Sequence, residues 1–153
     1  MLSVYNIAGG TLWFNRGSIL VPFPDTSVNT SYLTNNARNT FTVPQDGVYR
    51  IAYDVYTAKQ VNIGTTILRD GQPLSGTENS NTINDYHYSG SIITPLEKDD
   101  IISLRLSDPN DANMQLGSNI GAKLEMMKIA DVSILRNSAE PRTMNTDICP
   151  CPC

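Results

Sequence analysis

Gly47-Val48-Tyr49-Arg50-Ile51-Ala52-Tyr53-Asp54-Val55-Tyr56 decides the fold. Tyr49, Ile51, Tyr53 and Val55 recur at every second position, opposite Arg50, Ala52 and Asp54. A period of two is that of a β-strand with one face in a core. Upstream, Phe41-Thr42-Val43-Pro44 reads as a short strand broken by Pro44, with a turn at Asp46-Gly47, residue types that tolerate positive φ. Downstream, Ile63 to Arg69 runs into Asp70-Gly71. That dipeptide is a hairpin signal, because a two-residue turn matching the strand twist needs positive φ at both positions. Asp85 to Thr94, a polar turn at Glu97-Lys98-Asp99-Asp100, Ile101 to Leu106 and Ala122 to Ile129 continue the series at regular spacing. Ahead of them, Asn6-Ile7-Ala8-Gly9-Gly10-Thr11 leads straight into Leu12-Trp13-Phe14, so the domain begins close to Met1. The expected core is Phe41, Val43, Tyr49, Ile51, Tyr53, Leu104 and Leu124.

Composition agrees with an all-β reading. Ser, Thr and Asn fill 42 of 153 positions, and these residues compete with a helical backbone for its hydrogen bonds. No segment carries a sustained helical stripe. At this length the chain holds one full domain. Eleven basic against 15 acidic residues give net charge −4, with the basic ones scattered singly from Arg16 to Arg142. A nucleic-acid partner would need them clustered, so none is expected. No run of 18 apolar residues is present to span a bilayer. Met1-Leu2-Ser3-Val4-Tyr5 lacks the charged and apolar regions of a signal peptide; either a processed segment is absent from this sequence or the protein reaches its destination without Sec export. The expected architecture is a sandwich or jelly roll of eight to ten antiparallel strands over residues 1–130, followed by an extended tail over residues 131–153. The tail turns polar, with Pro141, Pro150 and Pro152, and ends in Cys149-Pro150-Cys151-Pro152-Cys153.

Four stretches together resemble a known family: Val4-Tyr5-Asn6-Ile7-Ala8-Gly9-Gly10-Thr11; Phe41-Thr42-Val43-Pro44 followed by Gly47-Val48-Tyr49-Arg50-Ile51-Ala52-Tyr53; Leu96 to Leu104; and Gly121-Ala122-Lys123-Leu124. They are similar to the C1q/TNF-like jelly roll, most closely to the BclA-type C-terminal head of collagen-like glycoproteins on bacterial spores. The resemblance covers Val4 to Ala130. It implies a ten-strand jelly roll that forms a homotrimer, is not an enzyme, needs no cofactor and is displayed on a spore surface, the exosporium, or another extracellular surface. The chain departs from such heads in having no Gly-X-Y collagen stalk and in continuing into the tail.

Candidate chemistry is sparse. The one histidine, His87, lies in Asp85-Tyr86-His87-Tyr88, where alternation puts Asp85 and His87 on one face and Tyr86 and Tyr88 on the other. A metal or a binding surface could use that pair, but a lone strand histidine is more often structural. Asp99-Asp100 and Asp108-Pro109-Asn110-Asp111 offer oxygen ligands to Ca²⁺ without EF-hand spacing, and solvated turns are the plainer reading. Three cysteines cannot all pair within one chain, and the intervening prolines keep the tail extended, so Cys149, Cys151 and Cys153 favour bonds between chains. Zinc is disfavoured, because one-residue spacing keeps three sulfurs from converging on one tetrahedral ion. Val132, Ile134 and Leu135 alternate in a way that could dock the tail on an exposed sheet edge. Tyrosine-rich strands suggest Tyr86, Tyr88 and Met126 as subunit contacts. The expected function is a structural surface protein, trimeric and cross-linked through its tails into a fibre or layer, with itself or another spore-surface protein as partner. A recognition head binding a glycan or protein receptor is the alternative.

Overall fold

The computed structural model describes residues 1–76, 79–80, 85–108, 114–117 and 120–132. Ile134, Leu135, Cys149, Cys151 and Cys153, like Pro109-Asn110-Asp111, lie outside the described residues. The strands are β1 (Leu2–Asn6), β2 (Gly10–Leu12), β3 (Ser18–Leu20), β4 (Asp25–Asn29), β5 (Leu33–Thr34), β6 (Phe41–Thr42) and β7 (Gly47–Val61). They continue as β8 (Gly64–Arg69), β9 (Gln72–Pro73), β10 (Asn79–Ser80), β11 (Asp85–Leu96), β12 (Ile101–Ser107), β13 (Met114–Leu116) and β14 (Ala122–Ala130). One seven-stranded sheet runs β2-β13-β7-β14-β1-β4 with β11 on β7. The other runs β10-β8-β12-β6-β5 with β3 on β12 and β9 on β8. All described pairings are antiparallel, as expected. The chain is divided more finely than ten strands because several of these pieces have only two or three residues.

Alternation builds the core. Tyr49, Ile51, Tyr53 and Val55 of β7 are buried, together with Phe41, Val43, Leu104 and Leu124, so every expected core residue is inside. β7 runs five residues past Tyr56: Thr57 keeps the buried phase and pairs with β13, and Ala58-Lys59-Gln60-Val61 carry the strand on against β11 after that phase has faded. Asp70 and Gly71 take positive φ, 52° and 80°, and close the β8–β9 hairpin as expected. Asp46-Gly47 does not: neither residue has positive φ. There the corner is held instead by the Lys98 amide, which donates to Asp46 Oδ1 at 2.7 Å. Gly47 leaves room there: a Cβ would sit 2.5 Å from the flexible end of Lys128 and 3.0 Å from the Ala130 carbonyl oxygen. Asp100 is drawn inward by Arg69 Nε at 2.8 Å and the Glu97 amide at 2.8 Å, and Asp70 Oδ1 accepts from the Ile101 amide at 2.9 Å. These two carboxylates close turns.

Buried tyrosines find partners for their hydroxyls, without which each would cost about 1–3 kcal/mol. Tyr49 donates to the Gln45 carbonyl at 2.7 Å and Tyr88 to the Val61 carbonyl. Tyr53 Oη lies 2.5 Å from Thr65 Oγ1, which joins β7 of one sheet to β8 of the other. Gly90, paired with Tyr53 across β11 and β7, leaves room for that ring: a Cβ would sit 2.8 Å from it. Among the described residues no buried side-chain polar atom lacks a partner.

Two outcomes follow from this core. Tyr53→Ala opens a cavity and orphans Thr65, so it should lower stability by about 3–5 kcal/mol, against about 1–3 for Tyr53→Phe; denaturant melts of both variants read the difference. Burial raises the pKa of Tyr32 to about 12 and raises those of Tyr49 and Tyr53 as well. Raised folded values mean stability that is whole below the ordinary tyrosine value of 10.0 and is lost as pH climbs through about 12. Tyrosinate absorbance should therefore appear late for these three of the seven tyrosines, and melting temperature should fall steeply from about pH 10 upward.

Candidate self-association surface

The strand phase that turns away from the core makes the outward face of the first sheet. Its registers align side chains into rows. Ser89, Asp54, Lys123 and Tyr5 form one, across β11, β7, β14 and β1. Ser91, Ala52, Glu125, Ser3 and Val28 form the next, reaching β4. Ile93, Arg50 and Met127 form the third. Past Met127 a register shift between Lys128 and Ala130 leaves Ile129 as an extra residue in β14. Ile93, Met127 and Ile129 are 62%, 43% and 45% exposed, aliphatic side chains grouped at one end of the face. Lys128 secures the end of β14 through Asp131 at 2.7 Å and Gln45 Oε1 at 3.2 Å.

The middle of the face is charged and internally matched. Lys123 Nζ lies 3.4 Å from Glu125 Oε1 and 5.7 Å from the centre of the Tyr5 ring. Burial works to lower the Lys123 pKa, but Glu125, Tyr5 and Asp54 outweigh it and hold it above the usual lysine value. At the opposite end from the aliphatic group, His87 Nε2 stands 2.8 Å from Asp54 Oδ1. The His87 ring stacks on Tyr56 with centroids 4.3 Å apart and planes 1° from parallel. Asp85 Oδ1 is turned to its own strand, accepting from the Tyr86 amide at 2.7 Å and the His87 amide at 3.4 Å.

Several expected contact residues lie elsewhere. Tyr88 and Met126 are buried in the subunit's own core, so they offer no side chain to another subunit, which corrects that expectation. Tyr86 is half exposed, because a register shift between Asp85 and His87 parts it from the buried run that includes Tyr88. The tyrosine abundance is thus absorbed mainly inside the subunit. Val132, just beyond β14, is partly buried. Ile93, Met127 and Ile129 were missed by sequence reasoning, though a signal existed. Ile92-Ile93 and Met126-Met127 put apolar residues on both strand phases, the mark of a strand covered on two faces.

Other features of the described residues are modest. An open groove of about 210 Å3 is lined by Thr11, Lys59, Val61, Met114 and Gln115, with no acid, histidine or cysteine in its wall. Trp13 is 68% exposed. No group of three His, Cys, Asp or Glu among the described residues could hold a metal ion. No helix among them is long and apolar enough to cross a membrane.

Two crystal structures of murine APRIL match the fold. The structure at pH 8.0 superposes with TM-score 0.59 at 16% identity, covering 84% of this chain and 97% of that one. The structure at pH 8.5 gives 0.58 at 12% identity, covering 84% and 98%. At such identities the likeness shows the fold alone, and it is the C1q/TNF-like jelly roll that the sequence resemblance implied. No curated protein matches the chain in sequence. The family model for the BclA C-terminal domain matches residues 2–130, which take in β1 through β14, and the chain belongs to that family.

Proposed function

We propose that this chain is a non-enzymatic structural protein of a bacterial spore surface, the exosporium, which forms a homotrimer through the outward face of its first sheet. The observation that carries the reading is the row order of that face. Aliphatic Ile93, Met127 and Ile129 stand exposed around Arg50 at one end of the face, next to the row that holds the Lys123–Glu125 pair. A lone subunit gains nothing from leaving three large aliphatic side chains together in water, whereas burying each against a copy contributes about 1–3 kcal/mol. Membership of the BclA C-terminal domain family supports the surface location.

In the same reading the tail, residues 131–153, links trimers into a fibre or layer. Val132, Ile134 and Leu135 dock it on a neighbouring sheet edge, and Cys149, Cys151 and Cys153 lock the contact by disulfides to another copy or to another surface protein. About twenty extended residues reach on the order of 60 Å, so distance is not limiting. Such bonds persist outside the cell and are reduced in the cytosol.

Ile93→Asp with Met127→Asp should turn the trimer into a folded monomer by sedimentation; the monomer still melts cooperatively, because both positions are exposed in the subunit, but at a lower temperature, because it lacks the stabilisation that assembly contributes. Leu33→Asp, a change at a still more exposed aliphatic position on β5 of the other sheet, should leave the trimer intact. A wild-type chain that sediments as a monomer at micromolar concentration overturns the reading. Deleting Ile148 to Cys153 should leave domain and trimer unchanged and abolish reductant-sensitive multimers on gels. Multimers that survive the deletion remove the cross-linking role and favour the recognition head.

A further inference from the structure

We propose that the His87–Asp54 pair makes self-association pH-dependent, with the trimer tightening as His87 takes up a proton. This inference rests on the trimer reading above and adds the regulation of that same face. The pair stands on the face itself, His87 on the edge strand β11 and Asp54 on β7, with 2.8 Å between Nε2 and Oδ1. Both are part-exposed in the single subunit, where water solvates them. A copy laid over the face removes that water, and a carboxylate taken out of water is costly unless a partner compensates its charge. Neutral His87 offers Asp54 one hydrogen bond, whereas protonated His87 offers a charge-assisted one and cancels the charge.

The surrounding groups set the sign. On β7 the near groups are Asp54 and Tyr56, on β14 Lys123 and Glu125, on β1 Tyr5, and on β11 itself Asp85 and Tyr86. Three carboxylates thus face the single ammonium of Lys123, which is already engaged by Glu125. Lys59 lies about 10 Å further along β7, and Arg50 about 13 Å from Asp54 in the opposite direction, at or beyond the screening length of physiological salt. This end of the face therefore carries excess negative charge, and protonation of His87 reduces it. Stacking on Tyr56 holds the imidazole in place. Assembly is then linked to proton uptake: strong below the histidine titration range, weaker as pH rises through it.

The test is sedimentation equilibrium of the full-length chain, with reductant present so that tail disulfides do not contribute, at about pH 5.5, 6.5 and 8. A trimer too tight to dilute apart is read instead by the urea midpoint of its dissociation. Wild type should lose about tenfold or more in trimer association constant from the lowest to the highest pH. His87→Gln, which keeps a hydrogen-bond donor but does not titrate, should be flat across the range, and Asp54→Asn should have a reduced slope. A wild-type trimer with no pH dependence, or a slope that survives in His87→Gln, overturns the proposal and leaves the trimer reading standing. A wild type that is monomeric at every pH overturns both.

Discussion

The hydroxyls of Tyr53 and Thr65 meet at 2.5 Å in the middle of the sandwich, and much else in the structure is arranged around that contact. One partner belongs to each sheet, so the bond fixes how the sheets lie against each other as well as satisfying two buried polar groups. Thr65 is fully buried and has no access to water if Tyr53 moves away. The Tyr53 ring reaches Thr65 past Gly90 of β11, where any Cβ would sit 2.8 Å from the ring and the hydroxyl, so the bond needs glycine there. Apolar packing alone would let two twisted sheets slide by small steps at small cost, because it is not directional. A paired hydroxyl inside a dry core is directional, and it selects one arrangement among those that packing would accept.

The same alternation that supplies Tyr53 to the core supplies the other phase of β7 to the outside. Arg50, Ala52 and Asp54 are therefore not free surface positions; each is fixed in a row with its neighbours on β11 and β14. Aliphatic residues lie at one end, matched charges in the middle, and a stacked histidine and tyrosine at the other end. An apolar patch by itself accepts many partners in many orientations. Charged rows beside it reject orientations that oppose like charges, which gives a surface a register rather than mere stickiness.

Most of the fold was legible because it depends on local signals. Tyr49, Ile51, Tyr53 and Val55 announce a half-buried strand by period alone, and Asp70-Gly71 announces its hairpin by backbone preference. The face was legible only in part, because its clearest signal is a departure from alternation. Met126-Met127 and Ile92-Ile93 fill both phases of their strands, and period-two reading keeps one phase and discards the other. Tyr86 and Tyr88, read from the sequence as sharing one face, part for a different reason. A register shift at Asp85 to His87 arises from how β11 pairs with β7, a long-range fact with no local mark. Asp46-Gly47 misled because it has turn chemistry, while the structure uses Asp46 as an acceptor across the corner and Gly47 to make room for Lys128.

Long-range facts also decide what the one histidine can do. In the sequence His87 stands two residues from Asp85, and that proximity suggests the pair to consider. The structure instead joins it to Asp54, 33 residues away, and turns Asp85 toward backbone amides. The difference matters physically. Asp85 lies at the start of β11, near the limit of the paired strands, whereas Asp54 lies opposite Ser89 and Lys123 within the face. A proton gained at His87 therefore changes the charge inside the row system and not only at its edge, so the cost of covering the face depends on that proton. The neighbouring Lys123–Glu125 pair makes no such contribution near neutrality, since Lys123 is held above the usual lysine value and stays charged. The position of the imidazole against Asp54 makes its charge a property of the surface rather than of one side chain.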